Sequence, residues 1–131
     1  MKNRYVRTAT AATVAAAVAA VLAAVALARP AATHPTLVGT VGKNNAYKIT
    51  LASAAGKAVK TLKPGTYKLV IHDDSSFHNY ELDGPHGKSW KFTTVPFTGT
   101  KTFTLKLVAG KYKAYCAPHE SLMFQHFTVS G

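Results

Sequence analysis

The chain is short of cysteine, of acidic residues and of helix-like patterning, and each shortage excludes something. One cysteine, Cys116, occurs in 131 residues. No disulfide can form within the chain, so Cys116 is an intermolecular bridge, an inert buried thiol or a metal ligand. Asp and Glu total five against 16 Lys and Arg. The basic residues after residue 28 are lysines spread along the chain, apart from Arg29. Without arginine clusters, no nucleic acid partner is expected. No His-x-His pair and no nucleophile–base motif occurs, so no catalysis beyond redox exchange is expected. No amphipathic helix pattern appears after residue 35, which removes helical bundles from consideration.

The first 28 residues differ from the rest. Lys2, Arg4 and Arg7 open the chain. Thr8 to Ala28 then runs 21 residues without a charge, 12 of them Ala. A surface helix needs a polar face, and this run has none. A basic start before an apolar stretch marks an export signal, and Ala26-Leu27-Ala28 offers a cleavage site. As a helix the run would also span about 30 Å, enough for a retained membrane anchor. Both readings put residues 29–131 outside the cytoplasm, in a periplasmic or extracellular setting. Residues 29–35, with two prolines, read as a linker. Residues 36–131 have the length of one domain with one core.

That domain reads as all-β. Leu37 to Val41 is a strand, followed by a turn over Gly42 to Asn45. Tyr47 to Leu51 alternates apolar and polar, Ala52 to Lys60 is helix or loop, and Thr66 to His72 follows the Pro64-Gly65 turn as a strand. Phe77 to Leu82 is a further strand candidate, and Asp83 to Gly87 a loop. Thr100 to Leu107 alternates cleanly, with Phe103, Leu105 and Leu107 on one face. Tyr112 to Cys116 and Phe124 to Val129 complete a set of seven or eight short strands, the pattern of a β-sandwich. Leu62 to Lys68 resembles Leu107 to Lys113, as two corresponding strands on opposite sheets would.

The chemistry concentrates in one stretch. Cys116, His119 and Met123 lie within eight residues. They offer a thiolate, an imidazole and a thioether. Zinc sites prefer tight Cys and His sets. Thiolate and thioether suit Cu(I), and imidazole suits Cu(II). The ligands fall on a loop between two strands, where a scaffold can hold them. One more histidine must come from elsewhere.

Gly-x-Tyr-x-x-Tyr-Cys-x-Pro-His-x3-Met, over Gly110 to Met123, resembles the copper loop of the cupredoxins, the small blue copper proteins. The plastocyanin, amicyanin and pseudoazurin group is the nearest in pattern. In that family a second ligand histidine precedes an asparagine upstream, and Phe77-His78-Asn79-Tyr80 fits, 38 residues before Cys116. The resemblance covers residues 36–131. It implies a cupredoxin-like Greek-key β-sandwich with one type 1 copper held by His78, Cys116, His119 and Met123. Met123 would be the weak axial ligand and His119 the ligand whose ring edge reaches the surface. Asn79 would tie the ligand loops together, and Tyr115 resembles a residue proposed as a second electron route. Three residues separate His119 from Met123, where plastocyanins usually have four and amicyanins two. The reduction potential therefore cannot be copied from a relative.

The implied function is one-electron transfer by an exported monomer, with redox proteins of acidic surface as partners and a possible membrane tether through residues 8–28. The alternative is copper storage or delivery. Delivery proteins tend to offer exposed Met and His, and this chain has only Met1 and Met123. His72 is expected to be structural, and Asp73 and Asp74 to be turn residues. His86 and His126 are spare histidines for a further metal site.

Overall fold

Period-two alternation dominates the sequence after residue 35, and the chain folds accordingly into strands. The computed structural model describes Ala31 and residues 33–131. The expected signal or anchor at 1–28 lies outside the described residues. No helix among the described residues is long and apolar enough to cross a membrane.

Nine strands follow in order. They are β1 (Thr36–Val41), β2 (Ile49–Ser53), β3 (Thr61–Leu62), β4 (Gly65–Asp73), β5 (Glu81–Asp83), β6 (Ser89–Lys91), β7 (Gly99–Leu107), β8 (Gly110–Tyr115) and β9 (Phe124–Val129). They form two sheets, β2-β1-β4-β7 and β3-β9-β8-β5-β6. β1 runs parallel to β4 and β3 parallel to β9, and the other pairs are antiparallel. The inner faces meet in one core. Leu37, Ile71 and Leu105 enter it from the first sheet, and Leu82, Tyr112 and Phe127 from the second. Alternation decides which residues do so: in β7 Leu105 and Leu107 are buried while Thr104 and Lys106 are exposed.

The internal echo has a structural counterpart. Tyr67 on β4 and Tyr112 on β8 stand in opposite sheets. Each phenol donates to a carbonyl four residues upstream, Tyr67 to Lys63 at 2.7 Å and Tyr112 to Val108 at 2.9 Å. Each bond pins the turn that feeds its strand while leaving the ring in the core.

Of the helix and loop open to Ala52 to Lys60, the helix is absent: β2 extends to Ser53 and the chain turns back, with Val59 donating to Leu51 at 2.9 Å. Two strand expectations change. Tyr47 is not in a strand and is 61% exposed. His78 to Tyr80 precedes β5 instead of forming part of it. The amides of Asn79 and Tyr80 are turned to Cys116 Sγ and Thr93 Oγ1, so they are not available to a ladder. β6 was not anticipated, because three residues are too few to show alternation.

Register sets one end of the sandwich apart. Val41 pairs with Asp73, Asp73 with Gly99, and Glu81 with Tyr115, so the ends of β1, β4 and β8 and the starts of β5 and β7 lie together. The segments carrying His78 and Cys116 leave the sheets there.

Candidate metal centre

Each expected ligand is set by a local constraint. Cys116 directly follows β8 and is fully buried. Its N–H donates to the Met123 carbonyl at 3.1 Å, and its carbonyl accepts from the His119 N–H at 3.1 Å. A short 3-10 turn, Ala117–His119, with Pro118 inside it, fixes the spacing. The Met123 N–H returns to the His119 carbonyl at 2.8 Å. The loop is thus closed on itself by backbone bonds before any metal is considered.

His78 arrives from the other side. Asn79 fastens the two segments, its Oδ1 accepting from the Ala117 N–H at 2.8 Å and its own N–H facing Cys116 Sγ at 3.5 Å. Gly42, at φ 70°, passes close behind; a Cβ there would lie 2.8 Å from His78 Cδ2. Only glycine meets both demands at this position.

Three donor atoms therefore converge. His78 Nδ1 and His119 Nδ1 are 3.0 Å apart, and each lies 3.7 Å from Cys116 Sγ. A point equidistant from the three corners of that triangle is about 2.0 Å from each, close to the roughly 2.0–2.3 Å bonds that nitrogen and thiolate make to a first-row ion such as zinc. No other group of three or more His, Cys, Asp or Glu side chains among the described residues could hold a metal. Met123 is buried beside them, at 1% exposure.

Electrostatics favours a cation at this point. Burial, and secondarily His119, hold the His78 imidazole below its ordinary pKa against an opposing pull from Asp73. It is thus neutral and able to coordinate near pH 7. Burial pushes the Cys116 thiol up, while N–H groups of Asn79 and His119 pull it down. The thiol keeps its proton until something replaces it, so metal entry releases a proton.

Two further residues belong to the site. Tyr47 stands over both imidazoles edge to face, with ring centroids 5.1 Å from His78 and 4.8 Å from His119. Glu81 is 5% exposed. Its carboxylate accepts from Asn79 Nδ2 at 2.9 Å and from the Tyr115 phenol at 3.0 Å. Burial, with Glu81 next in order, pushes Tyr115 up to about 12. One carboxylate thus holds the neighbours of both His78 and Cys116. An acid between Tyr80 and Leu82, two positions after Asn79, was the available clue.

The remaining candidates fall outside the cluster. His72 Nδ1 meets Thr100 Oγ1 at 2.9 Å across the β4–β7 ladder. His86 lies at φ 59° in an exposed turn, and His126 edges against Phe124 on β9. Neither belongs to a second group of metal-binding side chains. Asp73 is no turn residue: it ends β4 with its side chain buried, and only Asp74 is exposed. Glu120 points outward and pairs with Lys113.

Comparison with solved structures decides the architecture. A methionine-to-glutamine variant of rusticyanin superposes with a TM-score of 0.52 at 16% identity, covering 72% of this chain and 76% of that one. A second structure, titled as the copper protein rusticyanin, gives 0.50 at 18% identity over 72% of this chain and 76% of that one. The fold is that of a cupredoxin. No family model and no curated protein sequence matches the chain. The cupredoxin fold and the His78–Cys116–His119 cluster together support a single type 1 copper. The donor set fits that ion: one thiolate and two imidazoles within 4.8 Å of one another, with a buried thioether on the same loop.

Proposed function

We propose that the protein carries single electrons outside the cytoplasm, using one copper ligated by His78, Cys116, His119 and Met123. The convergence of Cys116 Sγ with two imidazole Nδ1 atoms on one point carries this reading. Copper bound there would supply the one-electron couple. The chain supplies a cage held by its own hydrogen bonds. Backbone bonds close the loop from Cys116 to Met123, and Asn79 locks it to His78. A rigid mixed donor set satisfies neither oxidation state fully, so little reorganisation accompanies the change.

Exchange belongs at His119. His78, Cys116 and Met123 are buried, whereas His119 is half-buried. Tyr47, Phe77, Leu122 and Phe124 are exposed large apolar side chains on the loops and strand ends around it. A redox partner meets mainly apolar surface there, and Glu120 beside His119 is already paired with Lys113. The burial of three ligands also disfavours storage or delivery, in which copper must leave. Export rests on the basic and apolar start of the sequence, and the rusticyanin likeness is compatible with it.

The test is the visible and paramagnetic resonance spectrum of the Cu(II)-loaded protein. Intense thiolate-to-copper absorption is expected, and Cys116→Ala should abolish it. Met123→Leu should keep the colour and raise the reduction potential, because losing an electron-pair donor costs the doubly charged Cu(II) more than Cu(I). A colourless Cu(II) complex, or rapid surrender of copper to a chelator, would remove the electron-carrier reading.

A further inference from the structure

The lysines are not spread evenly over the fold. Asp73 and Asp74 at the end of β4, Glu81 at the start of β5 and Glu120 in the ligand loop lie in the half that carries the ligand cluster, and Asp83, at the far end of β5, accepts from the Tyr115 phenol of that half at 3.4 Å. Lys43, Lys48, Lys91, Lys101 and Lys113 lie in the same half, so its formal charges cancel; Lys68 stands between the two ends, within β4. Lys113 pairs with Glu120, and Lys91 approaches Glu81 at 4.0 Å.

The opposite end holds no acid. Lys57 sits in the turn after β2, and Lys60 and Lys63 flank β3. Lys106 is near the end of β7 and Lys111 near the start of β8. Lys88 is in the β5–β6 turn, which reaches this end because Pro85 lies against Gly110. All six are exposed. β1 starts here too, since Thr36 pairs with Lys68 near the start of β4. The chain therefore enters the domain at its basic pole.

We infer that this lysine pole docks on an anionic lipid surface, leaving the His119 end directed away from it. Uncompensated lysines at a membrane face are attracted by acidic headgroups. What selects lipid over a soluble polyanion is the chain upstream. In sequence the pole follows the uncharged run Thr8–Ala28, the one stretch that a bilayer would take up. The inference does not depend on the metal.

Trp90 is the only tryptophan and reports on this end. It stacks on Tyr112 with centroids 6.4 Å apart and lines a surface hollow with Lys88 and Lys106. The experiment reconstitutes the full chain in phosphatidylcholine vesicles with or without phosphatidylglycerol, each carrying a headgroup spin label. Trp90 quenching is expected to be stronger with phosphatidylglycerol and to fall to the neutral-lipid value in about 1 M salt, where screening acts over about 3 Å. The combined Lys57→Gln, Lys60→Gln, Lys63→Gln and Lys111→Gln protein should lose the difference. Each lysine biases docking on the order of fivefold, so together they remove a preference of several hundredfold. These side chains are exposed, and circular dichroism confirms that the variant folds. Equal quenching in the two lipids would overturn the proposal, as would an effect that survives the substitutions. Tighter binding to soluble polyglutamate than to the acidic vesicles would assign the pole to an acidic macromolecule and overturn it equally.

Discussion

Asp73 ends β4 with none of its surface exposed, and its Oδ2 has no hydrogen-bond partner. Burial pushes its carboxyl above the usual value of 3.8, against smaller opposing contributions from Thr93, the Ser75 N–H and His78. A carboxyl raised in the folded state favours folding when protonated, and that contribution is lost as pH rises through the folded value. At neutral pH the buried carboxyl therefore leaves the metal-free fold less stable than it is in acid. Asp73→Asn should stabilise metal-free protein at pH 7 by about 1 kcal/mol, a melting rise of roughly 4–8 °C for a domain of this size. The gain should vanish below pH 3.8, where both proteins are uncharged at this position. Thermal melts at the two pH values check it, and a lower melting temperature at pH 7 would contradict the assignment. His78 works in the opposite sense. Its lowered pKa makes the metal-free fold lose stability as acid protonates the ring.

Among the elements, β5 and β8 do most to shape the site. Glu81 pairs with Tyr115 across them and bonds to its phenol, while the same carboxylate holds Asn79. The two ligand segments are thereby fixed to one rigid ladder. Glu81→Gln removes a negative charge near the proposed copper and keeps the shape. The potential should rise by tens of millivolts, since one charge acts at an effective dielectric of about 20. Voltammetry reads this directly, and a potential equal to the parent's would reduce Glu81 to a packing role. Both segments were visible in sequence, His78-Asn79 as a pair and Cys116 to Met123 as a loop. Their connection through Glu81 was not, because it depends on which residues β5 and β8 place opposite each other.

At the scale of the molecule, charge and chemistry occupy opposite ends. β4 spans nine residues, so at about 3.3 Å per residue the ends are roughly 26 Å apart. The Debye length at 0.1 M salt is about 10 Å. The lysine pole is therefore largely screened from a partner seated at His119, and the ligand half is formally neutral. Electron self-exchange between two copies meeting at His119 should change little between about 0.1 and 1 M salt. Line broadening in mixed oxidised and reduced samples measures it. A steep salt dependence would restore steering of an acidic partner to the ligand end, the role expected of the lysines from their number alone.

By itself the sequence determined the strand pattern and the ligand loop. Alternation is a local property, and three of the four proposed ligands lie within eight residues. His78 was legible as well, through the asparagine beside it. Only the tertiary structure decided that Tyr47 covers the imidazoles, that Glu81 joins the two ligand segments, and that the acids gather at one end. Those facts depend on strand register and on how two sheets face each other. Register is a long-range property: moving β5 by one residue against β8 would turn Glu81 to the other face without altering any local pattern.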